Sequence, residues 1–242
     1  MIRPALVFVM SAMAVSATAQ DLTISFKSSE GGAATHFYSK DRARFQNGRS
    51  DTMIDFASGK IVTIDHQKKE YSEITLEEME QTMKAASAQM EEMMAKIPAQ
   101  MREQMASRMG GGDVNVTKGD TRTVAGYSCT SYTISMGTMM TQETCNTTAL
   151  TPPFDPSNFQ KLSKISVPMM QGMDKVIAKM SEIKGLSLSQ HTSVKMMGQG
   201  RDTTLEATEV KKGPIPASAF DLPAGYKQVE SPLKKMGKMG PR

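Results

Sequence analysis

Hydrophobic and polar residues change period twice along this chain. From Leu22 the pattern alternates, with Leu22, Ile24 and Phe26 set against Thr23, Ser25 and Lys27, which predicts a half-buried strand. Short β-patterned runs follow at 35–39, 43–46, 52–56, 60–65 and 70–74. Gly31-Gly32, Asn47-Gly48 and Ser58-Gly59 separate them, residues suited to the positive φ of tight turns. This spacing predicts an antiparallel meander. At Thr75 the period turns helical. Thr75-Leu76-Glu77-Glu78 carries a capping-box signature, and Met79, Met83, Ala86, Met90, Met93 and Ile97 then recur at steps of four and three. Pro98 should kink or break that helix, and Gly110-Gly111-Gly112 ends its continuation near 109.

The pattern then repeats. Two strands are expected at 127–135 and 138–147, a second helical segment at 155–184, and two final strands at 186–197 and 201–211. Asp155 and Pro156 suit a helix start, Pro168 interrupts the segment, and Lys184-Gly185 suits its stop. Cys129 and Cys145 each lie eight residues from Gly137. A hairpin with a three-residue loop around that glycine makes them direct cross-strand neighbours, so a disulfide is expected between them.

Composition then sets the compartment. Residues 1–19 hold one cation (Arg3), an apolar run from Ala5 to Val15 and the small-residue ending Ala17-Thr18-Ala19, the layout of a cleaved signal peptide. A soluble product, periplasmic or secreted, beginning near Gln20 is expected. The apolar run is shorter than the roughly 20 residues that span a bilayer. Charged residues make up 22% and hydrophobic residues 39%, the balance of a folded domain. The net charge of +4 is scattered, and aromatic residues are only 5%, which leaves little to stack bases and argues against nucleic acid as a partner. The basic end, 231–242, is expected to be a flexible tail on a single domain spanning 20–230.

Candidate chemistry is thin. His36, His66 and His191 each stand alone in strand-like contexts, without the spacing of a metal or nucleophile motif, and are expected at the surface or an edge. Asp65 and His66 are neighbours on a strand and point to opposite faces, so no dyad is expected of them. No catalytic residue, cofactor or metal site is assigned. The chain does hold 23 methionines. Methionine is unbranched and polarizable, so a Met-lined helix face suits ordinary core, an adaptable cleft for an apolar ligand, or thioether ligation of Cu(I). For the cleft, the lining residues would be Met79, Met83, Met90, Met93 and Met94 from the first helical segment, with Met173, Val176, Ile177 and Met180 from the second.

Three stretches together carry a resemblance. They are ARFQNG…MIDFASGKIVTIDHQKKEYSEIT (43–75), TVAGYSCTSY (123–132) and the ending LEATEVKKGPIPASAFDLPAGYK (205–227). In these the chain resembles the exported bacterial family known as domain of unknown function 4412, itself similar to the LolA/LolB-like lipoprotein carriers. The resemblance implies an α+β fold: a strongly curved antiparallel sheet, an unclosed barrel, with helical insertions on its concave face and room for acyl chains. The long Met-rich insertion departs from the carriers. The function implied is non-catalytic binding or carriage of a lipid or acyl chain, with an envelope lipoprotein or membrane as partner. A periplasmic Cu(I)-binding protein, or an interaction protein with no small ligand, are the alternatives.

Overall fold

Side chains that alternate along the first strands sort onto two faces, and those faces organise the molecule. The computed structural model describes residues 20–30, 32–98, 100–101, 114–137, 140–155, 157–158, 173–196 and 199–238. The expected meander is present as β1 (Leu22–Ser28), β2 (Ala33–Tyr38), β3 (Arg42–Gln46), β4 (Ser50–Asp55), β5 (Lys60–Asp65) and β6 (Glu70–Thr75). β7 (Val114–Val124), β8 (Tyr127–Met136), β9 (Met140–Thr147), β10 (Leu186–Met196) and β11 (Gln199–Lys212) extend the sheet, and β12 (Lys227–Val229) ends it. The twelve strands run in the order β12-β6-β5-β4-β3-β2-β1-β11-β10-β9-β8-β7. The β12–β6 pair is parallel and the others are antiparallel.

The sheet is curved and unclosed. Three strands separate β7 from β11, yet Arg122 on β7 places Nη1 3.0 Å from Glu206 on β11 and Nη2 2.8 Å from Ser189 on β10. Coiling is needed for that reach, because flat neighbouring strands lie about 4.8 Å apart. On the inner face one cross-strand row runs Leu22–Tyr38–Ala43–Ile54–Ile61–Ile74. The main core gathers there: Leu22, Ile24, Phe26, Tyr38 and Ala43 pack with Cys129, Cys145, Leu186 and Leu188, and with Leu150 and Phe154 from the stretch after β9.

Helix α1 (Leu76–Ala95) starts as the capping box dictates, Thr75 and Glu78 exchanging both side chain–backbone bonds. Its first turns bury Met79 and Met83 against Ile61, Ile74 and Leu233. Helix α2 (Met173–Glu182) lies at the opposite end of the sheet, beside β7 and β8. Within the basic end, Pro232–Lys238 forms helix α3, which lies against α1 and ties Lys234 to Glu78 at 2.7 Å. Leu233 supplies the apolar contact that a freely solvated tail would lack. Residues 1–19, 102–113 and 159–172, where signal-peptide and helical expectations fall, lie outside the described residues.

Two further expectations meet the structure differently. β7 was not anticipated. It is an edge strand whose residues 115 and 117–123 are mostly exposed, so its sequence has no apolar alternation to announce it. The disulfide Cys129–Cys145 is present, with Cα atoms 5.4 Å apart, but the register is shifted. Met136 pairs with Met140, so the strands reverse one residue later than expected and Cys145 faces Ser131. The bond therefore runs along the diagonal of the hairpin.

Candidate functional site

The inner face is filled at one end and open at the other. Phe154 packs on Tyr38 and Phe56, with ring centroids 5.8 and 5.5 Å away, and closes the filled end. Beyond it the next cross-strand row, Ile24–His36–Phe45–Thr52, changes from apolar to polar. A cavity of about 470 Å³ opens over this row. Ala34, His36, Phe45 and Leu205 give it an apolar and aromatic part, while Thr52, Gln190, Thr192 and Thr203 line it with neutral hydrogen-bonding groups. At its margin Arg201 is ion-paired with Glu30, so the rim carries no net charge from that pair.

His36 is the unusual member. Its ring centroid lies 4.4 Å from that of Phe26 and 5.0 Å from that of Phe45, and Nδ1 is 3.2 Å from the Tyr38 hydroxyl. Burial lowers its pKa to about 4, so the imidazole is neutral at ordinary pH. Burial also pushes the Tyr38 phenol above its ordinary value, and it too stays protonated. The expectation of a surface or edge histidine is thereby corrected for His36. An imidazole is flat and largely apolar on its faces, so it can stack among aromatic rings at an inward strand position.

A second polar constellation occupies the outer face. Arg44 on β3 and Asp51 on β4 are both buried, with Arg44 Nε and Nη2 at 3.1 and 2.5 Å from Asp51 Oδ2. Nη1 of Arg44 also donates to the carbonyls of Ala219 and Asp221, at 2.7 and 3.2 Å. His66 Nε2 lies 3.0 Å from Asp51 Oδ1, and its Nδ1 is 2.9 Å from the Tyr226 hydroxyl. These contacts fasten the stretch 213–226, which joins β11 to β12 and crosses the outer face through a 3₁₀ turn at Ala217–Phe220. Acid, imidazole and hydroxyl in series resemble a proton relay. The cavity, however, is on the other face, and Arg44 occupies the same carboxylate, so the cluster acts as a clasp. His66 does not stand alone as expected; Asp51, and not its neighbour Asp65, is its partner.

Met53, the cross-strand partner of Arg44, packs with Tyr226 beside the outer constellation. Met79 and Met83 are buried beside β5, β6 and α3. Met93 is 56% exposed, Met94 is half-buried, and Met180 on α2 is exposed. The side chains of Met90, Met173, Val176 and Ile177 lie outside the described residues. Among the described residues, α1 lies beside β6 and α3, and α2 lies beside β7 and β8. No group of three His, Cys, Asp or Glu side chains able to hold a metal ion occurs among the described residues.

Sequence reasoning missed the cavity because its residues come from β1, β2, β3, β4, β10 and β11, which only the strand order unites. One signal was available. His36 and Thr52 stand at inward positions of alternating strands, where apolar residues are the rule.

A coiled, open antiparallel sheet with a cavity on its inner face and a clasped strap on its outer one defines an α+β protein built around a single sheet. The chain belongs to the family described as Domain of unknown function (DUF4412), whose model matches residues 93–226, over half of the 242 residues. No curated protein matches it. Among solved structures it is similar to an uncharacterized conserved protein from Thermus thermophilus, with 6% identity and a TM-score of 0.43 over 88% of this chain and 91% of that one. It is also similar to the Pseudomonas aeruginosa MucA/MucB complex, with 12% identity and a TM-score of 0.38 over 86% of this chain and 56% of that one. A structure of MucB in complex with MucA(peri) matches at 12% identity and a TM-score of 0.35, over 85% and 54%. Among the described residues, no helix is long and apolar enough to cross a membrane.

Proposed function

We propose that this is a non-catalytic, exported envelope protein that binds or carries an apolar ligand, a lipid or acyl chain, in the cavity on the inner face of its sheet. The observation that carries this reading is the cavity itself: about 470 Å³ over Ala34, His36, Phe45 and Leu205, beside a core already filled by Phe154. That volume falls within the range typical of small-molecule sites, and Ala34, Phe45, Leu205 and the His36 ring give an otherwise mostly polar lining its apolar floor. The methionines take a supporting part. Met93, exposed on α1 beyond its packed turns, offers an adaptable apolar contact to a membrane or envelope lipoprotein that delivers or receives the ligand.

Mass spectrometry of lipid extracted from protein purified from its native compartment tests the reading. Titration with a fluorescent fatty-acid probe supplies the site. Thr203→Trp places a large ring in the cavity and should weaken probe binding by about tenfold or more while the thermal unfolding midpoint holds. A wild-type protein that carries no lipid and binds no probe, or a variant that binds as well as wild type, defeats the proposal.

A further inference from the structure

We infer that His36 is the hydrogen-bond donor of this cavity and that the site selects, among apolar ligands, those bearing an uncharged carbonyl oxygen, the ester or amide of an acyl chain. This rests on the cavity being a ligand site, as proposed above, and adds what the ligand must carry.

The tautomer follows from the partners. The Tyr38 hydroxyl is buried and stays protonated, and among the described residues the one group placed to take its proton is Nδ1 of His36, 3.2 Å away. A buried hydroxyl without an acceptor is costly, so the phenol donates to Nδ1. A neutral imidazole then carries its proton on Nε2. The two ring nitrogens point to opposite sides of the ring. Nδ1 is turned toward Tyr38 and the filled end of the inner face, so Nε2–H is turned toward the open end, where His36 lines the cavity. Among the described residues, Nε2 has no protein partner. Phe26 and Phe45 hold the ring on either side, so the donor is fixed in direction before a ligand arrives.

Charge narrows the acceptor. The imidazole is neutral, Arg201 is engaged by Glu30, and the other polar lining is threonine hydroxyl, serine hydroxyl and side-chain amide. The one cation lining the cavity among the described residues is already paired with Glu30, so a carboxylate ligand finds no unpaired counter-charge there. A carbonyl oxygen needs one donor and no counter-charge.

Two measurements test this. Long-range proton–nitrogen correlation spectra of the labelled wild-type protein should show His36 as the Nε2–H tautomer between about pH 5.5 and 8. Displacement of a bound fluorescent probe should rank methyl laurate ahead of dodecane by about tenfold, with laurate weaker than the ester. His36→Phe keeps a flat ring between Phe26 and Phe45 and should bring the ester down to the level of dodecane. Tyr38→Phe removes the hydroxyl that sets the tautomer and should shrink the ester's advantage, which serves if the first variant does not fold. An Nδ1–H tautomer, equal ranking of ester and alkane by the wild type, or an unchanged preference in both variants overturns the inference and leaves the cavity's role as a lipid site standing. A wild type that binds neither probe nor displacer removes both.

Discussion

His36 shows how one residue can serve a binding surface and burden the fold. Its pKa in the native protein is about 4, against 6.5 in an unfolded chain, because burial opposes the charged ring. The unfolded chain therefore takes up a proton that the native state refuses. Stability from this residue is complete above about pH 6.5 and is lost as pH falls toward 4, a change of up to about 3 kcal/mol, less whatever water in the cavity screens. His36→Phe cannot titrate, so urea midpoints measured at pH 7 and pH 4.5 should converge for the variant relative to wild type. Equal acid slopes in the two proteins would assign the loss to carboxylates. Asp55 and Glu78 are candidates, since hydrogen bonds hold their pKa values below the ordinary range: Ser58 and Ala57 for Asp55 against an opposing burial effect, and Lys234 and Thr75 for Glu78. The lowered pKa could not be read from Thr35-His36-Phe37, because it depends on Phe26 and Phe45 across two strand pairings and on Tyr38 along β2.

Strands and helices were legible where they carry an amphipathic pattern. The six-strand meander and the α1 start at Thr75 were open to inspection because alternation, Gly-containing turns and a capping box are local signals. β7 was not, since an edge strand exposes both its faces. The hairpin register escaped for a different reason: Gly137 does adopt positive φ, but the pairing of Met136 with Met140 is chosen by packing along both strands. The strap 213–226 was seen as a motif and not as an element. Its fastening through Arg44 to Ala219 spans 175 residues of sequence. Asp51→Ala should cost about 3–5 kcal/mol, because it leaves the Arg44 guanidinium buried and unpaired. Replacing both residues, Arg44→Met with Asp51→Leu, should cost less than the single change. Chemical denaturation gives the two values, and limited proteolysis within 213–226 should rise in the single variant. A single variant as stable as wild type would show that the strap is held by Phe220 and Tyr226 alone.

At the scale of the molecule, the disulfide secures the half of the sheet that curls back. Cys129 and Cys145 belong to the same core as Leu22 and Ile24, although their strands lie at the far end of the strand order. Reduction should lower stability by up to about 3 kcal/mol for a loop of this size, and by less because β8 and β9 are already paired. Denaturant titrations with and without reductant measure it. A loss near zero would place the stability of this half entirely in packing. The strand order has a further consequence, which concerns time. β1 joins β2 on one side and β11 on the other, so the first strand made is completed by nearly the last. The meander from β1 to β6 closes through short turns and can form early, but the other edge of β1 must wait for residues 205–212. Until then Leu22, Ile24 and Phe26 line an unfinished edge that any passing strand could pair with. The nascent protein is thus most prone to aggregate in the interval before its final strands arrive, and a chaperone that holds its N-terminal half would act there.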